Sequence, residues 1–534
     1  MKARVILLGG VLFGILFGCS SDIPSNQQPN ILFIVADDLG FTDLGAFGGE
    51  ISTPNLDELA FAGVRLNNFH TDRACQQTRV MMMASSGVSG ALEYFPPAEG
   101  SRERRNRLSL NWATLPELLQ DAGYQTFMAG KWDLGIEEGY TPATRGFNHS
   151  FVQLGASASH FAENFWDDYS LYESDGEPVE YQDMPDDFYS TNYYTQKMLE
   201  FLESDADQRP WFAYLPYTTP HWPLQVPEDE LDRYAGQYGE GYDALRLSRV
   251  NSANQLGVIP GGLNLEDFEP VAAPWEGLSA EEQAKYSRVQ EIYAAMVSNL
   301  DTNVGRLIAH LKDSGQFENT VIMFTSDHGA SSGEYGQRPT TPGRGPQIPV
   351  FIDNSFENWG RPNSFVDHGQ GFAEAATAPL KGYKGRISEG GLRAAAFIHF
   401  PDLAVSGSID GSFMTIMDVL PTFLDIAGTV HPGPGDYKGR KIEGIVGRSA
   451  WPYLNGEADA VHLPTDSAGW VQGELGALIR GNYKITNERL PGSDGSVSWQ
   501  LYDIMSDPGE TQDLALQYPE LVSELLVEWE TNWR

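Results

Sequence analysis

The chain has 534 residues, 41% of them apolar, 73 Asp and Glu against 35 Lys and Arg, and a formal net charge of −38. That length and apolar content suit an enzyme-sized α/β core with a small appendage, not a disordered or fibrous protein. A surface so acidic repels phosphate backbones and anionic lipid, which excludes nucleic-acid binding and makes any anion site a local construction of Lys, Arg, His or metal.

The chain opens with Lys2 and Arg4, an apolar run from Val5 to Phe17, and Gly18-Cys19. This reads as an export signal over residues 1–19, and Leu16-Phe17-Gly18-Cys19 resembles a bacterial lipobox. The expectation is an exported protein, periplasmic or at the cell surface, lipid-anchored at Cys19 through a polar tether over residues 20–29. No later apolar run reaches the length of a membrane span.

Asn30 to Ala36 is a continuous apolar run, the signature of a strand buried on both faces, and it ends in Asp37-Asp38-Leu39-Gly40. Thr71 to Ala84 then holds Cys75, the one cysteine left once Cys19 is set aside, with Arg79 four positions on. A lone thiol in an exported protein is either a buried apolar side chain or a reactive group. Arg102, Arg104, Arg105 and Arg107 form a basic cluster, readable as a solvated loop or as a contact for an anionic polymer.

Thr114-Leu115-Pro116-Glu117 predicts a capped helix start and Gly123 its stop. Tyr124 to Met128 predicts a strand running into Gly130-Lys131-Trp132-Asp133. Residues 154–270, rich in aromatics, acids and turns, read as an insertion forming a pocket rim, although Phe212 to Pro216 is strand-like and leads to His221. Ser279 and Glu282 cap a long helix to Asp313 whose stripe, Val289, Ile292, Met296, Leu300, Val304, Leu307 and Leu311, is core.

Val321 to Ser326 repeats the buried-strand pattern and ends in Asp327-His328-Gly329. Two parallel strands would thus deliver three Asp and one His to one sheet edge, where α/β sheets place ligands. So oxygen-rich a set favours Ca²⁺ or Mg²⁺ over Zn²⁺. Lys381 to Gly391 is a Gly-rich loop with two lysines, one of them Lys384. From about Gly456 the pattern changes: strands over Ala477 to Ile485 and Ser498 to Asp503, then a helix from Pro519 to Asn532. The expected architecture is a large mixed, mostly parallel sheet flanked by helices (30–455) and a small C-terminal α+β subdomain with an antiparallel sheet (456–534).

The chain resembles the sulfatases of the alkaline-phosphatase superfamily, bacterial arylsulfatases in particular. The motifs are ADDLG at 36–40, AGKW at 129–132, PHWPL at 220–224, TSDHG at 325–329 and KGYKGRISEGGLR at 381–393, with LYDIMSDPGETQDLA at 501–515 closing the similarity. The resemblance implies sulfate-ester hydrolysis with a formylglycine made from Cys75 by a formylglycine-generating enzyme. It implies one Ca²⁺ on Asp37, Asp38, Asp327, His328 and residue 75. Arg79 would stabilise the nucleophile, Lys131 and Lys384 would hold sulfate oxygens, and His221 would assist the leaving group. The substrate would be a sulfated small molecule or glycan. Gln77 departs from the family's Pro, Asp133 from its His, and 80–86 lacks the usual Leu-Thr-Gly. Two alternatives stay open: a phosphate- or phosphonate-ester hydrolase of the same superfamily, and a non-catalytic binder of sulfated ligands.

Overall fold

The computed structural model describes residues 28–95, 106–165, 171–204, 209–263, 268, 270–335, 352–401, 403–488 and 498–534. The export signal, Cys19, residues 20–27 of the tether, and Arg102, Arg104 and Arg105 lie outside the described residues.

Ten strands build the main sheet: β1 (Asn30–Ala36), β2 (Val64–Leu66), β3 (Gln125–Lys131), β4 (His149–Gln153), β5 (Tyr172–Ser174), β6 (Glu177–Val179), β7 (Trp211–Pro216), β8 (Thr320–Ser326), β9 (Ala396–His399) and β10 (Ile409–Asp410). Their spatial order is β10-β2-β9-β8-β1-β7-β3-β4-β5-β6. The five central strands, β8 to β4, run parallel, so their C-terminal ends share one edge. β9 and β5 turn antiparallel on either side.

Each face of a central strand has its own cover, which is why these strands are apolar without alternation. In β1, Leu32 and Ile34 join one buried cluster with the stripe of α4 (Ala280–Asp313). Ile31, Phe33 and Val35 join the opposite one, with Met81 to Met83 of α1 (Cys75–Ala84) and Leu115 and Leu118 of α2 (Leu115–Asp121). Phe33 lies 5.6 Å from the Tyr214 ring and meets Phe423 edge-on at 5.4 Å. Both helix starts carry the predicted capping boxes, Thr114 with Glu117 and Ser279 with Glu282.

One expectation needs correcting: residues 154–270 are not an insertion. They supply β7, which pairs directly with β1, and α3 (Ser190–Ser204), whose Tyr194, Met198 and Leu202 enter the core. Several of their described aromatic residues are buried, and Tyr172, Phe188 and Tyr193 form a ring of tilted and edge-on contacts with Phe151 of β4.

The C-terminal sheet has four antiparallel strands, β11 (Ser467–Gln472), β12 (Leu475–Arg480), β13 (Tyr483–Thr486) and β14 (Gln500–Asp503). The single run expected over 477–485 is split in two by Gly481 at φ 59°, and β11 is an additional strand. One face, with Leu478, Ile485 and Leu501, packs under Leu525 and Trp529 of α5 (Pro519–Asn532). The other, with Ala468, Trp470, Ala477 and Tyr502, belongs to the core of the main body.

Candidate active site

Because β1, β8, β7 and β3 end together, the residues just past them converge. Asp37 and Asp38 follow β1, Asp327 and His328 follow β8, Lys131 is the last residue of β3, and His221 lies five residues beyond β7. Backbone bonds lock the ends, Asp37 N to Thr219 O at 3.1 Å and Asp327 N to Ala36 O at 3.0 Å. Gly130 has φ 133°, and a Cβ there would stand 2.0 Å from Pro216 O, so only glycine lets β3 bring Lys131 this close to β7.

Cys75 is the first residue of α1, whose N-terminus points at the cluster. Thr78 fixes that turn: its hydroxyl is 2.7 Å from Asp327 O and accepts from Asp72 N at 2.9 Å. Cys75 Sγ lies 3.3 Å from Asp37 Oδ1 and 3.2 Å from His328 Nε2. Arg79, fully buried one turn on, donates to Lys131 O at 2.9 Å and approaches Asp37 at 3.3 Å and Asp327 at 3.5 Å. Lys131 Nζ pairs with Asp37 Oδ2 at 2.5 Å, and Lys384 Nζ with Asp38 Oδ1 at 2.6 Å. His221 Nε2 is 3.7 Å from Asp38 Oδ2. All nine residues expected from the sequence thus meet in one cluster.

Three carboxylates and three permanent cations share this site. Burial alone would raise Asp37, but Lys131 and Arg79 hold it well below the usual carboxylate range. Asp38 is raised, burial outweighing Lys384. Burial and the charge of Asp37 push Asp327 up to about 7. Burial drives the Cys75 thiol well up, helped by Asp37, against the pull of Lys131 and Lys384, so the unmodified thiol is a poor nucleophile. Burial and Lys384 lower His328 to about 4 and hold His221 well below the usual imidazole range, leaving both imidazoles neutral. His328 Nδ1 donates to Gly329 O at 2.9 Å and His221 Nδ1 to Trp222 O at 2.6 Å, which turns both Nε2 lone pairs toward the cluster.

The three carboxylates of the cluster fit a hard divalent cation. Asp37, Asp38, Cys75 and His221, and likewise Asp37, Cys75, Asp327 and His328, each offer one donor atom within 4.8 Å of the others. Asp38 Oδ2 is buried without a hydrogen-bond partner, as a carboxylate oxygen reserved for a metal would be. Both groupings share Asp37 and Cys75, so among the described residues they mark one place.

Two of the three departures from the family pattern have local accounts. Gln77 is the third residue of α1, where the backbone N–H has no helical partner, so Gln and Pro suit the same backbone; its side chain bonds Tyr94. Asp133 takes φ 54°, a left-handed backbone that Asp tolerates better than most, and its carbonyl accepts from Gln76 Nε2 at 3.0 Å. Arg107 is ion-paired to Glu93 at 3.0 Å and lies over the Phe95 and Tyr140 rings, which gives it a packing role.

Sequence reasoning missed three neighbours. His160 Nε2 donates to His221 O at 2.9 Å and braces that residue's backbone. Tyr293 OH, on α4, lies 3.1 Å from Asp38 O beneath the site. Asp367 is fully buried and held well above the usual range by burial and the charge of Asp38. Asp367-His368-Gly369 repeats the Asp-His-Gly of 327–329, a signal that could have found it.

Against known proteins, the family model described as Sulfatase matches residues 29–429. An uncharacterized sulfatase of Schizosaccharomyces pombe is 38% identical over 529 residues, covering 94% of this chain and 93% of that protein. An arylsulfatase of Klebsiella aerogenes is 36% identical over 415 residues, 75% of this chain and 87% of the relative. Among solved structures, Ps i-CgsB in complex with k-i-k-neocarrahexaose superposes with a TM-score of 0.67 at 22% identity, covering 94% of this chain and 92% of that one.

Proposed function

The chain belongs to the sulfatase family and is a sulfuric-ester hydrolase; from that premise we propose that it works through a formylglycine made from Cys75 and one Ca²⁺ held by Asp37, Asp38, Asp327, His328 and residue 75. The formylglycine would supply a hydrated aldehyde as nucleophile, and the cation would polarise that group and the sulfate.

The remaining steps belong to the chain's own side chains. Lys131 and Lys384 stay protonated, because the carboxylates, Asp37 and Asp38 first, outweigh their burial. They rest on Asp37 and Asp38; a cation held by those carboxylates would leave the two ammonium groups available to hold the sulfate oxygens. Arg79, wholly buried, offers nothing to substrate directly; it helps keep Asp37 ionised and orients both Asp37 and Asp327. His221 has its Nδ1 hydrogen committed to Trp222 O, so Nε2 is the atom that faces the ester oxygen, and it must first take up a proton from water, favoured by the bound sulfate's negative charge, before passing it to the leaving group. The observation that carries this reading is the pairing of both lysines with Asp37 and Asp38 around Cys75 Sγ.

The alcohol carrying the sulfate is proposed to be ring-shaped. The Trp222 ring is half-buried beside His221 at 4.5 Å, with Tyr335 edge-on at 5.5 Å and Phe365 at 5.6 Å. A flat apolar wall next to the sulfate anchors suits an aryl group or the CH face of a sugar. The arylsulfatase relative and the glycan complex of the structural neighbour support that class. Export, lipidation at Cys19 and maturation by a formylglycine-generating enzyme complete the proposal.

The test is peptide mass spectrometry across Cys75 in protein from its native host, alongside 4-nitrophenyl sulfate hydrolysis by wild type and Cys75→Ala. Formylglycine at position 75 and loss of turnover in the variant are expected. An unmodified thiol with no hydrolysis of aryl or sugar sulfates would leave a binder of sulfated ligands. Two metal ions per chain would instead favour a phosphate- or phosphonate-ester hydrolase.

A further inference from the structure

The segment at 501–515 takes no part in the site above, yet one of its residues is held in a costly backbone. Glu510 has φ 51° and is 2% exposed. A buried non-glycine residue keeps the left-handed conformation only where its surroundings over-determine it. Here they do: Glu510 Oε2 accepts from Glu389 N at 3.0 Å, Oε1 lies 2.8 Å from Lys484 Nζ, and the carbonyl accepts from Lys381 Nζ at 3.3 Å.

Lys484, on β13, also pairs with Glu389 Oε1 at 3.0 Å. The other oxygen of Glu389 lies 3.0 Å from His70 Nε2 and 2.9 Å from Arg393 Nε. Burial would neutralise Glu389, but Lys484 and Arg393, with the hydrogen bond to His70, hold it well below the usual range, so Glu389 keeps its charge. Removing one member strands the others without water, which makes the arrangement rigid.

This cluster sits at the root of the loop that carries Lys384. Lys381 and Glu389 anchor its two sides, and its tip is tied by Lys384 N to Ala330 O at 3.1 Å and Gly385 N to Arg73 O at 2.7 Å. The same C-terminal sheet makes a second hold nearby, where Trp470 Nε1 donates to Thr71 O at 2.8 Å, four residues before Cys75.

We propose that Glu510 and Lys484 are positioning residues for the reaction: acting through Glu389, they fix Lys384 against the Asp38–Cys75 cluster, so the C-terminal sheet completes the sulfate-holding site. This rests on the reading of Lys384 as a sulfate contact, and the test separates the two. The probe is inorganic sulfate, titrated calorimetrically into the full Ca²⁺-loaded chain, with 4-nitrophenyl sulfate turnover measured in parallel. Lys384→Ala should weaken sulfate by about 10- to 150-fold, the loss of a charge-assisted hydrogen bond.

Glu510→Gln keeps the shape and removes the charge. It should weaken sulfate roughly tenfold, for partial misplacement of that bond, and raise KM more than it lowers kcat. The double variant should bind no worse than Lys384→Ala alone, because both changes act on one contact. Lys484→Met should resemble Glu510→Gln, with Lys484→Arg restoring affinity; should the Met variant fail to fold, the glutamine variant carries the test. Multiplying effects in the double variant, or a Glu510→Gln protein with a lower Tm and unchanged sulfate affinity, would overturn the inference. Unchanged affinity in Lys384→Ala would overturn the reading beneath it.

Discussion

Asp327→Asn should uncouple the fold from Ca²⁺, and the size of the effect follows from the site. Asp37, Asp38 and Asp327 are essentially without solvent, so a cation that binds them only in the folded chain stabilises it by mass action. At 100 times its Kd that amounts to about 2.7 kcal/mol. Unfolding entropy near 2.1 cal/mol/K per residue, over 534 residues, is about 1.1 kcal/mol/K, so Tm should rise by about 2.5 °C.

Asparagine keeps the shape of Asp327 but removes one of three anionic donors. Losing a charge-assisted contact of about 1.5–3 kcal/mol weakens the metal about 10- to 150-fold. The same Ca²⁺ concentration should then shift Tm by about 1 °C or less. Without metal the sign reverses. Asp327 titrates at about 7 in the folded chain and near 3.9 unfolded. The folded state therefore binds the extra proton between those values, and that contribution is greatest below about pH 4 and lost as pH rises through 7. The metal-free variant lacks this slope and should equal or exceed metal-free wild type at pH 8. Differential scanning fluorimetry with and without chelator, from pH 4 to 8, reads both effects. An unchanged Ca²⁺ shift in the variant, or a metal-free stability difference between the two proteins that is flat in pH, would refute the reasoning.

Gly130→Ala should lose most sulfatase activity, because the new Cβ would meet Pro216 O at 2.0 Å and displace Lys131; wild-type turnover in a folded variant would count against that placement. Trp529→Ala should cost about 3–5 kcal/mol and lower Tm by a few degrees, since the ring is 1% exposed and its Nε1 donates to Trp470 O at 3.0 Å; thermal denaturation measures it. Asp57, raised to about 6 by burial despite bonds from Ala46 N and Thr53, contributes stability that is greatest below about pH 4 and lost as pH rises through 6. Asp57→Asn should flatten that part of the metal-free pH–stability curve, and an unchanged slope would argue against it.

The sequence by itself determined the elements whose signals are local. Asn30–Ala36 and Val321–Ser326 read as doubly buried strands because, from Ile31 and Val321 on, every side chain in them is apolar or small. Ala280–Asp313 read as one helix because its stripe repeats at three and four residues, and both capping boxes lie within four positions of chain. Asp37, Asp38, Asp327 and His328 could be named because each directly follows such a strand. The sequence left β7 looking like part of a rim, since strand order is set by pairing between residues about 180 positions apart, such as Ile31 with Phe212. Only the tertiary structure decided that Lys131 and Lys384 rest on Asp37 and Asp38, that His160 braces His221, and that Glu510 holds the Lys384 loop. Those contacts join segments from 61 to more than 300 residues apart. They depend on where backbones end after packing, and no short-range pattern of residues encodes that.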